Sequence, residues 1–193
     1  MNLTIPVREG LELRRRVVSD AESAFQVIDK NRKYLMQWLP WLDDSKTVGD
    51  IRKYIRNDIS EFKKREGCDF GIWYEGQWIG GIGLSSFGTK DRKTSIGYWL
   101  SEDFQGRGIM TDSVHALVSY CFKHLNLNRI VIRCAVANTK SRMIPLRLGF
   151  KEEGVLRQSE WLYDHFVDLV VYSLLREEWN LRKVIPNSTT ATH

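Results

Sequence analysis

The hydrophobic period of the chain changes at Gly108, and this change restricts the possible folds more than any other feature. Between residues 68 and 100, three segments alternate as strands do. After Gly108, one face of a long helix is predicted by the spacing of Met110, Val114, Leu117, Val118, Cys121, Phe122 and Leu125. The apolar segment 129–136 follows, and it is typical of a central strand covered on both faces. An α/β fold is predicted by this order of elements, in which a strand is followed by a glycine loop, a helix and another strand.

Other segments extend this pattern on both sides. The expected order is a strand at 11–18, a helix capped by Asp20 that runs to about Lys30, a tryptophan-rich passage at 34–44, a helix at 46–65, strands at 68–74, 77–86 and 93–100, the helix after Gly108, the strand at 129–136, a short helix at about 139–148 that ends at Gly149, and strands at about 150–161 and 165–175. A tight turn is expected at 75–77. We expect one domain over residues 8–180 and a mobile tail at 186–193, which has almost nothing to bury.

Length and composition narrow the class of protein. With 193 residues, 42% of them hydrophobic, the chain can bury a core and does not resemble a disordered protein. The net charge of +5 fits an anionic ligand or an acidic partner, but no dense basic block indicates direct binding to nucleic acid. Three widely spaced cysteines indicate buried thiols in a cytoplasmic protein. We expect no signal peptide and no membrane span, because charges interrupt the first 20 residues and no apolar run reaches 18 residues.

The loop QGRGIM, residues 105–110, precedes the long helix. The first turn of a helix has free N–H groups and a partial positive charge, and glycines let a ligand approach the backbone. The arrangement is typical of an anion site, and an ordinary helix start is the alternative. The P-loop lysine and hydroxyl are missing, and the Rossmann fingerprint is absent. The glycines of GGIG (80–83) lie in a strand pattern, where they indicate a bulge or close packing.

Several motifs together carry a family resemblance. QGRGIM resembles the Gln/Arg-x-x-Gly-x-Gly/Ala loop of the GNAT superfamily of acetyl-CoA-dependent N-acetyltransferases. Residues 137–150 resemble the Asn-x-x-Ser helix and Leu-Gly-Phe ending of its RimJ/RimL branch, which acetylates N-terminal amines of ribosomal proteins. Residues 157–179 are similar to the closing hairpin of that branch, and LPW (39–41) recurs early in its members. Met110 replaces the glycine or alanine of many members, and we expect its side chain to point into the core.

The resemblance implies a GNAT fold, in which helices flank a mixed and splayed central sheet. It implies transfer of acetyl from acetyl-CoA to a primary amine by direct attack within a ternary complex. The preferred acceptor is the N-terminal amine of a ribosomal protein, and a small-molecule amine, such as a polyamine or an antibiotic, is the alternative. A non-catalytic acyl-CoA-binding module is the second alternative.

The resemblance also implies where acetyl-CoA would bind. Strands near 94–100 and 129–136 would separate at their C-terminal ends and leave room for the pantetheine arm, which would pair with backbone groups of the first strand as an added strand does. The pyrophosphate would lie on the 105–110 loop. The implied cofactor-binding residues are Ile96, Gly97, Tyr98, Trp99, Leu100, Gln105, Gly106, Arg107, Gly108, Ile109, Met110, Asn138 and Ser141.

Two polar residues that follow the strand at 129–136 each have two interpretations. Asn138 is a candidate N-cap, and the resemblance implies instead a hydrogen bond to the pantetheine arm. Ser141 is an ordinary helix serine by position, and the resemblance makes it a candidate to protonate the departing thiolate. Pro145 lacks the N–H that would bond the Ser141 carbonyl, so we expect a kink beside Ser141.

Four further residues are candidates for catalysis or substrate binding. Glu160 is either a solvent-facing strand residue or a partly buried general base with a raised pKa. A backbone N–H near Tyr98 could stabilise the oxyanion. Trp38 and Trp41 flank Pro40, and they are either scaffold or, as the resemblance implies, a wall of the acceptor channel.

No metal is expected as a cofactor. Cys121 and His124 share a helix face, but a metal site needs further ligands, and none is near them in the sequence. The segment YDHF (163–166) indicates a hairpin turn more than a His–Asp catalytic pair. The expected partner is an acceptor amine, without nucleic acid or membrane, and the closing hairpin is a candidate surface for a homo-oligomer.

Overall fold

Eight strands form one mixed sheet in the computed structural model, which describes residues 3–184. The strands are β1 (Thr4–Arg8), β2 (Leu11–Arg15), β3 (Gly67–Tyr74), β4 (Gln77–Ser85), β5 (Lys93–Leu100), β6 (Arg129–Ala135), β7 (Lys151–Leu162) and β8 (His165–Leu175). Their order in the sheet is β1-β2-β3-β4-β5-β6-β8-β7. Among these strands, β5 and β6 run parallel, and the other neighbours run antiparallel.

Helices cover both faces of the sheet, because their apolar stripes require a surface to pack on. The helices are α1 (Ala21–Lys30), α2 (Arg32–Leu35), α3 (Val48–Lys64), α4 (Ile109–His124), α5 (Thr139–Arg147) and α6 (Arg176–Val184). One apolar cluster joins the buried face of α4 to the sheet, and a second joins α1 and α3 to it. Within residues 3–184, no helix has both the length and the apolar character needed to cross a membrane.

The two parallel strands separate halfway along their length. Register pairs run from Lys93 with Arg129 to Ile96 with Ile132, and there the pairing of β5 with β6 ends. Beyond that point β5 stays paired with β4 up to Leu100, and β6 stays paired with β8. The backbone groups of β5 that face away from β4 are therefore free from Gly97 onward. The expected splay of the sheet is confirmed.

Most elements predicted from periodicity are confirmed. The first strand of the sheet, β1, the short helix α2 and the last helix, α6, were not predicted, and the strand expected at 11–18 ends at Arg15. Asp20 precedes α1, but its carboxylate accepts the Val17 N–H at 2.8 Å and makes no cap bond to the helix. The predicted mobile tail, residues 186–193, lies outside the described residues.

Strand β7 does not alternate regularly. Leu156 pairs with Leu169 and Glu160 pairs with Val167, so three residues of β7 lie opposite Asp168 alone. This bulge adds two residues to β7, so Leu156 and Glu160 stay on the same face of the sheet, as their parity in the sequence predicts.

Candidate functional site

The glycine loop exposes its backbone at the start of α4. Gly106 and Gly108 both have a φ of 74°, a conformation that side chains with a Cβ rarely adopt. No side chain caps the helix, so the first N–H groups of α4 have no capping partner. A Cβ on Gly106 would meet no atom within 4 Å. The loop therefore combines free donors, a helix dipole and open space, which together suit a phosphate group.

A cleft of about 970 Å³ begins at this loop and ends at Tyr98. Its sides include the first turns of α4 and α5, and Lys140 of α5 donates to the Gln105 side chain at 3.3 Å across it. The buried side chains of Ile109 and Met110 pack in the main core, as expected for Met110. This volume lies at the upper end of the range for small-molecule sites, so the cleft can hold a cofactor-sized ligand.

Asn138 caps α5. Its side-chain oxygen accepts the Ser141 N–H at 3.1 Å, as the N-cap interpretation of Asn138 predicts. Both residues line the cleft, so the capping bond also fixes the first turn of α5 beside the ligand space.

Two residues that line the cleft, Tyr98 and Ser141, form a partly buried cluster with the buried Cys134. The Ser141 hydroxyl donates to the Tyr98 hydroxyl at 3.3 Å and lies 3.2 Å from the Cys134 sulfur. Burial raises the pKa of Tyr98 and the pKa of Cys134, so both groups keep their protons at neutral pH. The cluster is a neutral set of hydroxyl and thiol groups.

Pro145 explains why Tyr98 points to Ser141. A helix residue at 145 would normally donate its N–H to the Ser141 carbonyl, but proline has none. The Tyr98 hydroxyl donates to that carbonyl at 3.0 Å instead. The proline thus frees an acceptor that ties α5 to β5.

A second cleft, of about 670 Å³, lies beside the other face of β5. Leu39, Tyr98 and Trp99 line both clefts, so the two spaces share a wall. Five carboxylates and two arginines line the second cleft: Asp44, Asp58, Glu61, Glu66, Asp69, Arg16 and Arg133. This cleft is acidic although the chain carries a net charge of +5, which favours cationic ligands there.

Glycines of β4 form part of the floor of the second cleft. A Cβ on Gly81 would lie 2.6 Å from Arg16 Nη2 and 2.6 Å from Trp99 Nε1, and a Cβ on Gly83 would clash with the Asp69 carboxylate. The GGIG segment therefore permits side chains from neighbouring strands to lie across β4, as its glycines indicated.

Trp38 and Trp41 are not brought together on one wall. Trp38 lines the first cleft, whereas Trp41 lines the second and contacts Trp99 with ring centroids 6.1 Å apart. A 3₁₀ helix over Pro40–Asp44 separates their directions, because Pro40 begins a new turn between them.

Glu160 lies on β7 and lines neither cleft. Directly paired residues of neighbouring strands share a face of the sheet, and so do alternate residues of one strand. Glu160 pairs with Val167 of β8, and Arg133 pairs with Val171, four residues further along β8. Glu160 therefore lies on the same face as Arg133, a lining residue of the second cleft. Partial burial raises the pKa of Glu160 above its ordinary value.

The tip of the closing hairpin is tied to the wall that both clefts share. The Tyr163 hydroxyl donates to the Leu39 carbonyl at 2.6 Å, and Tyr163 follows Glu160 by three residues. Segment 163–166 forms the expected turn, with Asp164 bonded to His165. Asp168 accepts the Gln158 N–H at 2.7 Å. Asp164 and Asp168, on the same hairpin as Glu160, thus have structural partners.

Three residues in or beside the two clefts were not predicted as site residues from the sequence. Arg16 and Asp69 line the second cleft, and Cys134 contacts Ser141. Arg16 is hidden in a run of three arginines, Asp69 in a strand, and Cys134 in a run typical of a buried strand. Only the alternation of β2 signals that consecutive arginines face opposite sides of the sheet. Among the described residues, no group of three or more His, Cys, Asp or Glu side chains is placed to hold a metal ion.

Comparison with known proteins gives a consistent result. Residues 11–151 match the family model for the acetyltransferase (GNAT) domain. The chain is 36% identical over 181 residues to the candidate ribosomal N-acetyltransferase YdaF of Bacillus subtilis (strain 168), covering 93% of this chain and 99% of YdaF. It is 34% identical over 173 residues to the ribosomal-protein-serine acetyltransferase of Escherichia coli (strain K12), covering 90% and 97% of the two chains.

A solved structure has the same fold. The ribosomal L7/L12 α-N-protein acetyltransferase RimL, in complex with coenzyme A, superposes with a TM-score of 0.88 at 29% identity, covering 91% of this chain and 99% of RimL.

Proposed function

Because the chain belongs to the GNAT family and is an N-acetyltransferase, we propose that it transfers acetyl from acetyl-CoA to the N-terminal α-amine of a ribosomal protein. One observation carries this proposal: two clefts on opposite sides of β5 meet at Tyr98 and Trp99, where β5 has left β6. One cleft would hold the acetyl donor and the other the acceptor. The names of the two ribosomal-protein acetyltransferases support the choice of acceptor.

The first cleft suits acetyl-CoA. The pyrophosphate would bind the free N–H groups at the start of α4, and the pantetheine arm would run along the free edge of β5 between Gly97 and Leu100. The thioester would then lie beside the Tyr98 and Ser141 hydroxyls.

Direct attack within a ternary complex fits the chemistry of the site. The thiol beside Ser141 belongs to Cys134, which is buried and has a raised pKa, so it is a poor nucleophile. The two clefts can be occupied together because they lie on different sides of β5. The amine therefore attacks the thioester carbon itself, and no acetyl-enzyme is required.

Three protein groups would manage charge and protons. An α-amine has a pKa near 7.7–8.0, so much of it is protonated at neutral pH, and Glu160 would remove that proton through a water molecule. A backbone N–H near Tyr98 would stabilise the oxyanion formed by attack. When the C–S bond breaks, the Ser141 hydroxyl, oriented by Tyr98, would give a proton to the thiolate.

Two alternatives remain distinct from this proposal. The acidic second cleft also fits a polyamine or another small cationic amine. A non-catalytic acyl-CoA-binding module would need the first cleft but no carboxylate base, so replacement of Glu160 would leave its cellular role unchanged.

The acceptor is tested by intact-mass measurement of ribosomal proteins from cells with and without this gene. We expect one protein to lose the mass of one acetyl group in the deletion strain, and fragmentation to locate the group at the N-terminus. Identical mass spectra from the two strains would contradict the ribosomal acceptor.

Substitution of Gly108 tests the cofactor loop. Gly108→Val adds a branched side chain where the pyrophosphate must approach, so we expect at least a tenfold loss of CoA affinity in calorimetry, about 1.4 kcal/mol. Gly76→Val is the matched control, because Gly76 has a φ of 77° in an exposed hairpin turn. Both variants should lower Tm through backbone strain, and equal CoA affinity in the two would contradict the assignment.

Substitutions of Trp38 and of Trp41 should raise the KM of different substrates. We expect Trp38→Ala to raise KM for acetyl-CoA and Trp41→Ala to raise KM for the acceptor, each on the order of tenfold, because they line different clefts. Each variant is the control for the other. Equal changes of both KM values in both variants would show that the tryptophans are scaffold only.

Glu160→Gln tests the base. We expect kcat to fall at least about 100-fold and the acidic limb of the kcat–pH profile to disappear, with CoA affinity retained. In the wild-type enzyme, activity should fall as pH drops through the raised pKa of Glu160, because the protonated carboxyl cannot accept a proton. Asp164→Asn, on the exposed turn of the same hairpin, should keep wild-type kcat. A Glu160→Gln enzyme with wild-type kcat and pH profile would refute this role.

A further inference from the structure

Two hydrogen-bond donors without acceptors meet above Gly81 in the second cleft. Arg16 Nη2 and Trp99 Nε1 each lie 2.6 Å from the point that a Cβ on Gly81 would occupy. Among residues 3–184, no group accepts a hydrogen bond from either nitrogen. Because each nitrogen lies 2.6 Å from the same point, the two are at most 5.2 Å apart, which is close enough for one acceptor oxygen to bond to both.

The guanidinium of Arg16 is held in place yet is short of partners. Its Nη1 lies 3.3 Å from the Asp69 carboxylate, which also accepts the Tyr54 hydroxyl, and its carbon lies 5.5 Å and 5.7 Å from the ring centroids of Tyr54 and Trp78. Only 11% of the side chain is exposed, and the buried Nε also has no acceptor. A buried guanidinium normally satisfies more of its five donors, so Arg16 has capacity for a ligand.

These donors lie close to the point at which the strands separate. Trp99 pairs with Gly81 of β4. Gly97 is the first residue of β5 that has no partner on β6, and Trp99 lies two residues after it. Two strand residues span about 7 Å. An extended polypeptide has the same rise, so a carbonyl oxygen within the first two residues of an acceptor can reach the donors while its amine lies near Gly97.

We propose that Arg16 and Trp99 form a carbonyl-binding site for the first peptide groups of the acceptor, an inference that rests on the proposed function. Arg16 supplies a charge-assisted hydrogen bond, Trp99 supplies a second donor, and Asp69 positions Arg16. An alkylamine or a polyamine has no carbonyl at this distance and leaves both donors unpaired. The site therefore selects α-amines of polypeptides over amines of similar size, because unpaired donors penalise the wrong substrate.

The test compares two acceptors across four enzymes. We measure kcat/KM for a tetrapeptide amide and for propylamine, at saturating acetyl-CoA and one pH, and take their ratio. Comparing this ratio between enzymes cancels the difference in amine pKa. Arg16→Met removes the guanidinium donors, and Trp99→Phe removes the indole N–H and keeps an aromatic ring beside Trp41.

We expect the ratio to fall at least tenfold in both variants, with KM for acetyl-CoA unchanged in Arg16→Met. Arg14→Met is the matched control, since Arg14 is bonded to Glu12, stacks on Trp73 and lines neither cleft, and it should keep the wild-type ratio. If Arg16→Met does not fold, Trp99→Phe decides alone.

Two results would overturn the assignment, and they are distinguishable. A high wild-type ratio that Trp99→Phe and Arg16→Met leave unchanged would refute the carbonyl site while the polypeptide acceptor stands. A wild-type ratio below one would refute the polypeptide acceptor itself and the carbonyl site with it.

Discussion

The early end of the pairing between β5 and β6 is the constraint on which the site depends. Parallel neighbours in a sheet normally exchange hydrogen bonds along their length, and here the exchange stops at Ile96 and Ile132. Antiparallel partners on the outer sides, β4 and β8, hold each strand in place after they separate. The gap thus adds no disorder to the sheet. It leaves a row of free backbone groups that a ligand with amides can satisfy, and it lets the two clefts meet.

A second constraint couples α5 to β5, and it depends on a residue that weakens the helix. An interior proline costs about 3 kcal/mol in an isolated helix, since it removes a hydrogen bond and crowds the preceding turn. Here the carbonyl that Pro145 leaves free accepts the Tyr98 hydroxyl, so part of that loss is recovered between elements. The same phenol accepts the Ser141 hydroxyl, so the orientation of Ser141 and the packing of α5 are set together. A regular helix would satisfy its own carbonyl and leave Tyr98 without this partner.

The sequence predicts local structure better than it predicts which side chains meet. The strands before Gly108 and the helix after it follow from the hydrophobic period, because neighbouring residues determine them, whereas the splay was implied by the family resemblance alone. The face of Glu160 follows from parity, because the bulge opposite Asp168 adds two residues to β7 and leaves Leu156 and Glu160 on one side of the sheet. Which cleft that side meets does not follow, since it depends on how β7, β8 and β6 pair. The division of Trp38 and Trp41 between two clefts is equally hidden, because it depends on how the turn at Pro40 packs against β5. Strand β1 alternates in burial, but it has only five residues and contains Pro6, so the sequence gives little evidence for a strand there.

The run Arg14–Arg16 illustrates how one short segment can serve packing and binding. In a sequence it resembles a solvated basic patch, but strand alternation gives its members different surroundings. Arg15 is buried and paired with Asp58, whose other carboxylate oxygen accepts the Asp69 N–H at 3.0 Å. Arg16 is paired with the side chain of the same Asp69. The backbone of Asp69 is thus fixed by the buried pair and its carboxylate fixes Arg16, so the donor above Gly81 is held rigidly by the core of the protein.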